Sequence, residues 1–139
     1  MRLNTKSRYA VMALADMASF NKSKPISLRD ISLRQSISLQ YLEQIFLKLK
    51  KHNIVKSVRG SNGGYVLSKN SNNIKLSEIF LALNENVKTI GCDKNSKKGC
   101  NGRSTKCITH NLWDDLEKHI NVFFESKSLN DFLEPKNKN

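Results

Sequence analysis

SISLQYLEQIFLKLKKHNIVKSVRGSNGGYVL, residues 36–67, carries two different periodicities in succession. In its first part, Leu39, Leu42, Ile45, Phe46 and Leu49 recur at helical spacing, which predicts a helix over 36–53 with one apolar face. Ser38 is a suitable N-cap. Lys48, Lys50, Lys51 and His52 gather at the far end, where cations suit the negative end of the helix dipole. Asn53 tolerates the left-handed stop conformation. In its second part, Val55, Val58, Tyr65, Val66 and Leu67 are strand formers on either side of Gly-Ser-Asn-Gly-Gly. Those five residues accept positive φ, so a β-hairpin is predicted.

Two further helices precede this stretch. Residues 5–20 place Tyr9, Met12, Ala13, Leu14, Met17 and Phe20 on a helical stripe, with Thr5 or Asn4 as the cap. Pro25 breaks the chain, and 27–35 follows with a Ser27 cap, Asp30 three residues on, and Leu28 and Ile31 as its apolar face. Three helices, the last two joined by a tight turn, and then a basic hairpin give the order of a winged helix-turn-helix. The expected fold class is mainly α with a small β-hairpin wing. Downstream, helices are expected over 76–85 and 108–126, a capped turn over 128–133 and a frayed tail over 134–139.

The charge is placed as that fold would need it. The chain of 139 residues carries +12 overall. Residues 1–60 hold twelve Lys/Arg against three acids, and 88–107 hold six against one. The first concentration points to a polyanion, and double-stranded DNA is the partner this fold order suggests. In such a fold the third helix reads the major groove with its N-terminal residues. Here these are Ser38, Gln40, Tyr41 and Gln44. A glutamine can bond adenine bidentately, and a serine hydroxyl can serve base or phosphate. Glu43 sits among them, where phosphates repel it, so it favours selectivity over affinity. Arg59 begins the hairpin turn, where it can enter a narrow minor groove, and Gly60 lets backbone approach the sugar-phosphate chain. Arg2, Lys6 and Arg8 add cations at the first helix.

All three cysteines fall in one polar, glycine- and lysine-rich stretch, and a histidine follows. They read Cys92, Cys100, Cys107 and His110. Apolar filling does not cluster in this way. Cys107 and His110 stand three apart at a helix start, so both can face one ion. Three soft thiolates plus an imidazole suit zinc or an iron–sulfur cluster. The intervals of seven and six lack the short knuckle usual in structural zinc sites, but spacing alone leaves zinc open. Neighbouring Lys94, Lys97, Lys98, Arg103 and Lys106 favour thiolate over thiol.

No paired acid–base constellation, phosphate loop or cofactor fingerprint is present, and His52, His110 and His119 lack catalytic partners in the pattern, so an enzyme is not expected. The start shows no signal pattern and no apolar run spans a membrane, which makes a cytoplasmic protein without membrane contact the expectation.

MRLNTKSRYAVMALADMA, SISLQYLEQIFLKLKK, VRGSNGGYVL and the cysteines followed by THNLW together resemble the iron–sulfur cluster assembly regulators, a family of winged helix-turn-helix transcription regulators. The resemblance runs to about residue 133. It implies a homodimeric repressor-type regulator of cluster assembly genes. It implies a 2Fe–2S cluster held by Cys92, Cys100, Cys107 and His110. It implies DNA contacts from Ser38, Gln40, Tyr41, Gln44, Arg59 and Gly60, with Glu43 influencing site choice. Cluster donor proteins are among the partners it admits. The cysteine intervals are longer than that family's pattern. A zinc-stabilised, thiol-redox or nitric-oxide-responsive winged-helix repressor is the alternative. The expected organisation is a DNA-binding domain over 1–85, a cluster-binding loop over 86–107, and a dimerisation helix with its C-terminal turn over 108–133.

Overall fold

The computed structural model describes residues 5–20, 24–84, 108–131 and 133. Its elements are α1 (Thr5–Ser19), α2 (Leu28–Gln35), α3 (Leu39–Lys51), β1 (Val55–Val58), β2 (Gly64–Leu67), α4 (Leu76–Ala82) and α5 (His110–Ser126). Short 3-10 turns lie at Ser71–Asn73 and Leu129–Asp131. This is the winged helix-turn-helix order expected from sequence, with a long C-terminal helix. The tail over 134–139 and residue 85 lie outside the described residues; the helix expected over 76–85 ends sooner, with Leu83 as its C-cap and Asn84 in the left-handed region at φ 57°.

The turn between α2 and α3 is built locally. Ser27 caps α2 by accepting the Asp30 N–H at 3.1 Å. Ser36 ends α2 at φ 56°, and its N–H donates to the Ser32 carbonyl, which closes the helix end in a left-handed turn. Two residues later Ser38 caps α3, its hydroxyl oxygen accepting the Tyr41 N–H at 3.4 Å. Asn53 takes φ 60° just past α3, as its side chain allows.

Leu42, Ile45, Phe46 and Leu49 of α3 are completely buried. Each such side chain contributes about 1.5–3 kcal/mol by leaving water. Leu39, at the first turn, stays partly exposed. The core they enter is closed by Leu14 of α1, Ile31 of α2, Ile79 of α4 and Leu129 of the last turn.

The face that α1 buries differs from its stripe of large residues. Ala10, Ala13, Leu14, Met17 and Ala18 are inside, while Met12 and Phe20 are exposed in part. Alanines allow close helix approach, so the helix turns its small residues inward. Phe20 instead lies under the Arg34 guanidinium, 4.2 Å from ring centroid to carbon.

Arg34 also clamps the buried Asp16. Its Nη2 and Nε donate to the two carboxylate oxygens at 2.7 and 2.9 Å, and Gln35 Nε2 adds a third bond at 2.8 Å. The hydrogen bond to Asp16 raises the Arg34 pKa above its ordinary value. The cluster fastens the end of α2 to α1.

The wing is an antiparallel pair in which Val55 faces Leu67 and Val58 faces Gly64. Ile26 adds a one-residue third strand: its N–H and carbonyl bond Tyr65 at 2.9 Å each. A Cβ at Gly64 would overlap the Ile26 carbonyl oxygen, which explains glycine there. α5 packs on α4 through Phe124 against Phe80, with centroids 4.5 Å apart. Beyond it the chain returns to the core: Leu76 N–H donates to the Lys127 carbonyl and Leu129 N–H to the Ile74 carbonyl.

The Asp16 clamp makes an asymmetric prediction. Arg34→Ala strands a buried carboxylate and should cost about 3 kcal/mol in urea unfolding. Asp16→Asn leaves an arginine that can reach water and should cost about 1–2 kcal/mol. Equal costs would contradict the burial asymmetry.

Candidate nucleic-acid interface

The reader face is assembled by what α3 does not bury. Gln40 and Gln44 are four residues apart and exposed, hence on one face one turn apart. Glu43 is exposed beside them. Ser38, at the cap, is exposed and uses its oxygen to accept from Tyr41 N–H. The hydroxyl proton is left to donate to a phosphate or base acceptor. Tyr41 is held differently from the others: it is half-buried, and its ring packs edge-on against Tyr9 with centroids 5.5 Å apart. That contact fixes the ring, so only its outer edge and hydroxyl are available to a ligand.

The second element is the wing. Arg59 follows β1 directly and is exposed, as is Gly60. Gly60 has φ 124°, a conformation side chains rarely adopt, and a Cβ there would meet nothing within 4 Å. The constraint at Gly60 is thus the shape of the turn, which aims Arg59 outward. The wing and the reader helix are one unit, because Phe46 of α3 packs on Tyr65 of β2 with centroids 5.0 Å apart.

Further cations share these elements. Arg29 in the first turn of α2, Lys56 on β1, and Lys50 and Lys51 at the end of α3 are all exposed. The sequence shows Arg29 and Lys56 only as part of a general positive balance. Their exposure on elements that flank α3 is what makes them candidates for phosphate contacts. Among the described residues acids on these elements are few, with Asp30 and Glu43 the carboxylates of α2 and α3. Cys92, Cys100 and Cys107 lie outside the described residues, and His110 is the first residue of α5. Among the described residues no group of three or more His, Cys, Asp or Glu is placed to hold a metal ion.

A capped reader helix, an arginine-tipped wing and a cationic surround define a winged-helix DNA-binding protein. The chain belongs to the Rrf2 family, whose model describes an iron-dependent transcriptional regulator and matches residues 3–135. It is 44% identical over 133 residues to the HTH-type transcriptional regulator IscR of Photorhabdus laumondii, covering 96% of this chain and 79% of that protein. The IscR of Escherichia coli O1:K1 is equally similar, at 44% identity over 96% of this chain and 80% of that one. Among solved structures, IscR of T. potens aligns with a TM-score of 0.75 and 32% identity over 96% of this chain and 86% of that one. CymR, the global cysteine regulator of B. subtilis, aligns with a TM-score of 0.79 and 25% identity over 96% of each chain. The chain is therefore a DNA-binding transcription regulator and not an enzyme. No helix among the described residues is long and apolar enough to cross a membrane.

Ser38→Ala tests the cap independently of DNA. It should lower stability by about 1 kcal/mol. Gln40→Ala, at an exposed position, should change it by less than about 0.5 kcal/mol. Matching unfolding midpoints for the two variants would remove Ser38 from the cap.

Proposed function

We propose that this protein is a cytoplasmic, homodimeric repressor-type regulator whose DNA binding responds to a 2Fe–2S cluster and which controls cluster assembly genes. The ligands are Cys92, Cys100, Cys107 and His110. The supporting observation is the place of His110. It opens α5, a helix that leaves Leu112, Leu116, Val122 and Phe123 exposed. That is more contiguous apolar surface than a small monomer usually carries, and it suits a second copy. A change at His110 therefore acts on the helix that would hold the dimer.

The donor set fits such a group. Cys107 and His110 bracket the start of α5, and the thiols of Cys92 and Cys100 precede them in glycine-rich sequence. Thr109, next to His110, accepts a hydrogen bond at its hydroxyl from Trp113 Nε1 at 3.0 Å, which orders the first turn. Three thiolates and a neutral imidazole leave an oxidised cluster less negative than four thiolates would, and histidine ligation raises its potential. When bound, the cluster supplies a redox- and iron-sensitive occupancy. The chain's own residues translate it: His110 fixes the start of α5, and α5 bears on α4 through Phe124 and Phe80.

The DNA-reading residues in this proposal are Ser38, Gln40, Tyr41, Gln44, Arg59 and Gly60, with Glu43 restricting which sites are accepted. A two-fold dimer sets two reader helices about 34–36 Å apart, or a multiple of that, over a partly palindromic site. Residues 1–85 form the DNA-binding part, 86–107 the ligand loop and 108–133 the dimer part.

Arg59→Ala should weaken binding and reduce the steepness of the salt dependence by about one phosphate's worth. Gln44→Ala should cost about 1–3 kcal/mol on the preferred operator and relax its sequence preference. Anisotropy titrations at several salt concentrations distinguish the two. The metal is tested by anaerobic purification followed by iron, sulfide and zinc analysis. Near-equal iron and sulfide, with red-brown colour lost in Cys92→Ala, is expected. Colourless protein carrying stoichiometric zinc would overturn the cluster reading.

A further inference from the structure

A second feature lies behind the wing. A cavity of about 300 Å³ is walled by Met17 and Ala18 of α1, Ile26 of the one-residue strand and Tyr65 of β2. Lys24 and Lys69 also line it. The volume sits at the lower end of small-molecule sites, and the combination of apolar walls with a few polar groups is what such sites use.

The two lysines are not equivalent. Lys69 is committed to Glu78, its Nζ 2.8 Å from a carboxylate oxygen. Lys24 is exposed, and no ion pair joins it among the described residues. Asn70 and Ser71, also at the cavity, are engaged locally: Asn70 accepts from the Asn72 N–H, and the Ser71 hydroxyl meets Asn130 at 3.5 Å. A cation with no ion-pair partner among the described residues, beside an apolar wall, matches one negative charge on an apolar body. A dianion such as a phosphate monoester would need the second lysine, which Glu78 already neutralises.

We propose that this cavity binds a small amphipathic monocarboxylate, with its apolar body against the half-buried Tyr65, Val66 and Leu67 and its carboxylate toward Lys24. None of the residues that line the site belongs to the reader face. Its wall includes the Ile26–Tyr65 hydrogen-bond pair that joins the wing to the start of α2, so an occupant bears directly on the wing's base.

The test titrates isotope-labelled full-length protein with phenylacetate, and with 2-phenylethanol as the neutral counterpart. Saturable amide shifts centred on Ile26, Tyr65 and Leu67 are expected with phenylacetate, and hexanoate should compete. Lys24→Gln should weaken the affinity about tenfold, the effect of losing one charge-assisted bond. Three results would overturn the proposal. One is no saturation up to about 20 mM, too weak to be a built site. Another is equal binding of the alcohol. The last is shifts that map to α5 instead.

Discussion

Phe46, buried in α3 and packed edge-on against Tyr65 at 5.0 Å, makes the reader helix and the wing move as one body. The same face of α3 sinks Leu42, Ile45 and Leu49 into the core, which fixes the rotation of the helix about its axis. With that rotation set, Gln40, Glu43 and Gln44 can only point outward. The position of Arg59 follows from the same contact, through the strand register that begins at Val55 and Leu67. Specific recognition of a long polyanion needs this rigidity, because base contacts discriminate only when backbone contacts hold the register.

A second constraint works on α5. α5 touches the core through few residues: Glu117 is its buried position, and Phe124 meets Phe80. The chain then returns to the core at Leu129, whose N–H bonds the Ile74 carbonyl next to α4. α5 is therefore tied at its C-terminal end, and His110 lies at its N-terminal end. A ligand set at that end is well placed to influence how α5 meets a second copy, and α4 is the element through which the effect would reach the DNA-binding core. In the proposed function this would be a coupling between two sites through one helix, and it would require two arrangements with different free energies.

Much of this was legible in the sequence, for physical reasons that differ by element. α3 and the hairpin could be read because helical spacing gives way to strand formers around a glycine-rich turn within one short stretch. Ser27 and Ser38 could be read as caps because their oxygens have one local task. The inner face of α1 was read in part: Ala13, Leu14 and Met17 of its stripe are inside, but large residues dominate a periodicity count, and Ala10 and Ala18 take the places given to Met12 and Phe20 because they allow closer packing. The Ile26 strand was invisible, since a single residue has no period and its pairing with Tyr65 depends on the glycine at 64. Tyr41 was recognisable as a polar position on the reader helix, but its partial burial against Tyr9 is a tertiary fact. For the ligand set, sequence supplied the residue types, and structure adds that His110 begins α5.

The central claim is that occupancy at the cysteine–histidine set changes DNA recognition. The direct measurement compares operator affinity of anaerobically purified holoprotein with the same preparation after chelation, across a panel of candidate sites. The account predicts that at least one class of sites changes affinity by about fivefold or more, the scale of a modest coupling free energy. Identical affinities on every site, with cluster content confirmed in one sample and absent in the other, would contradict it.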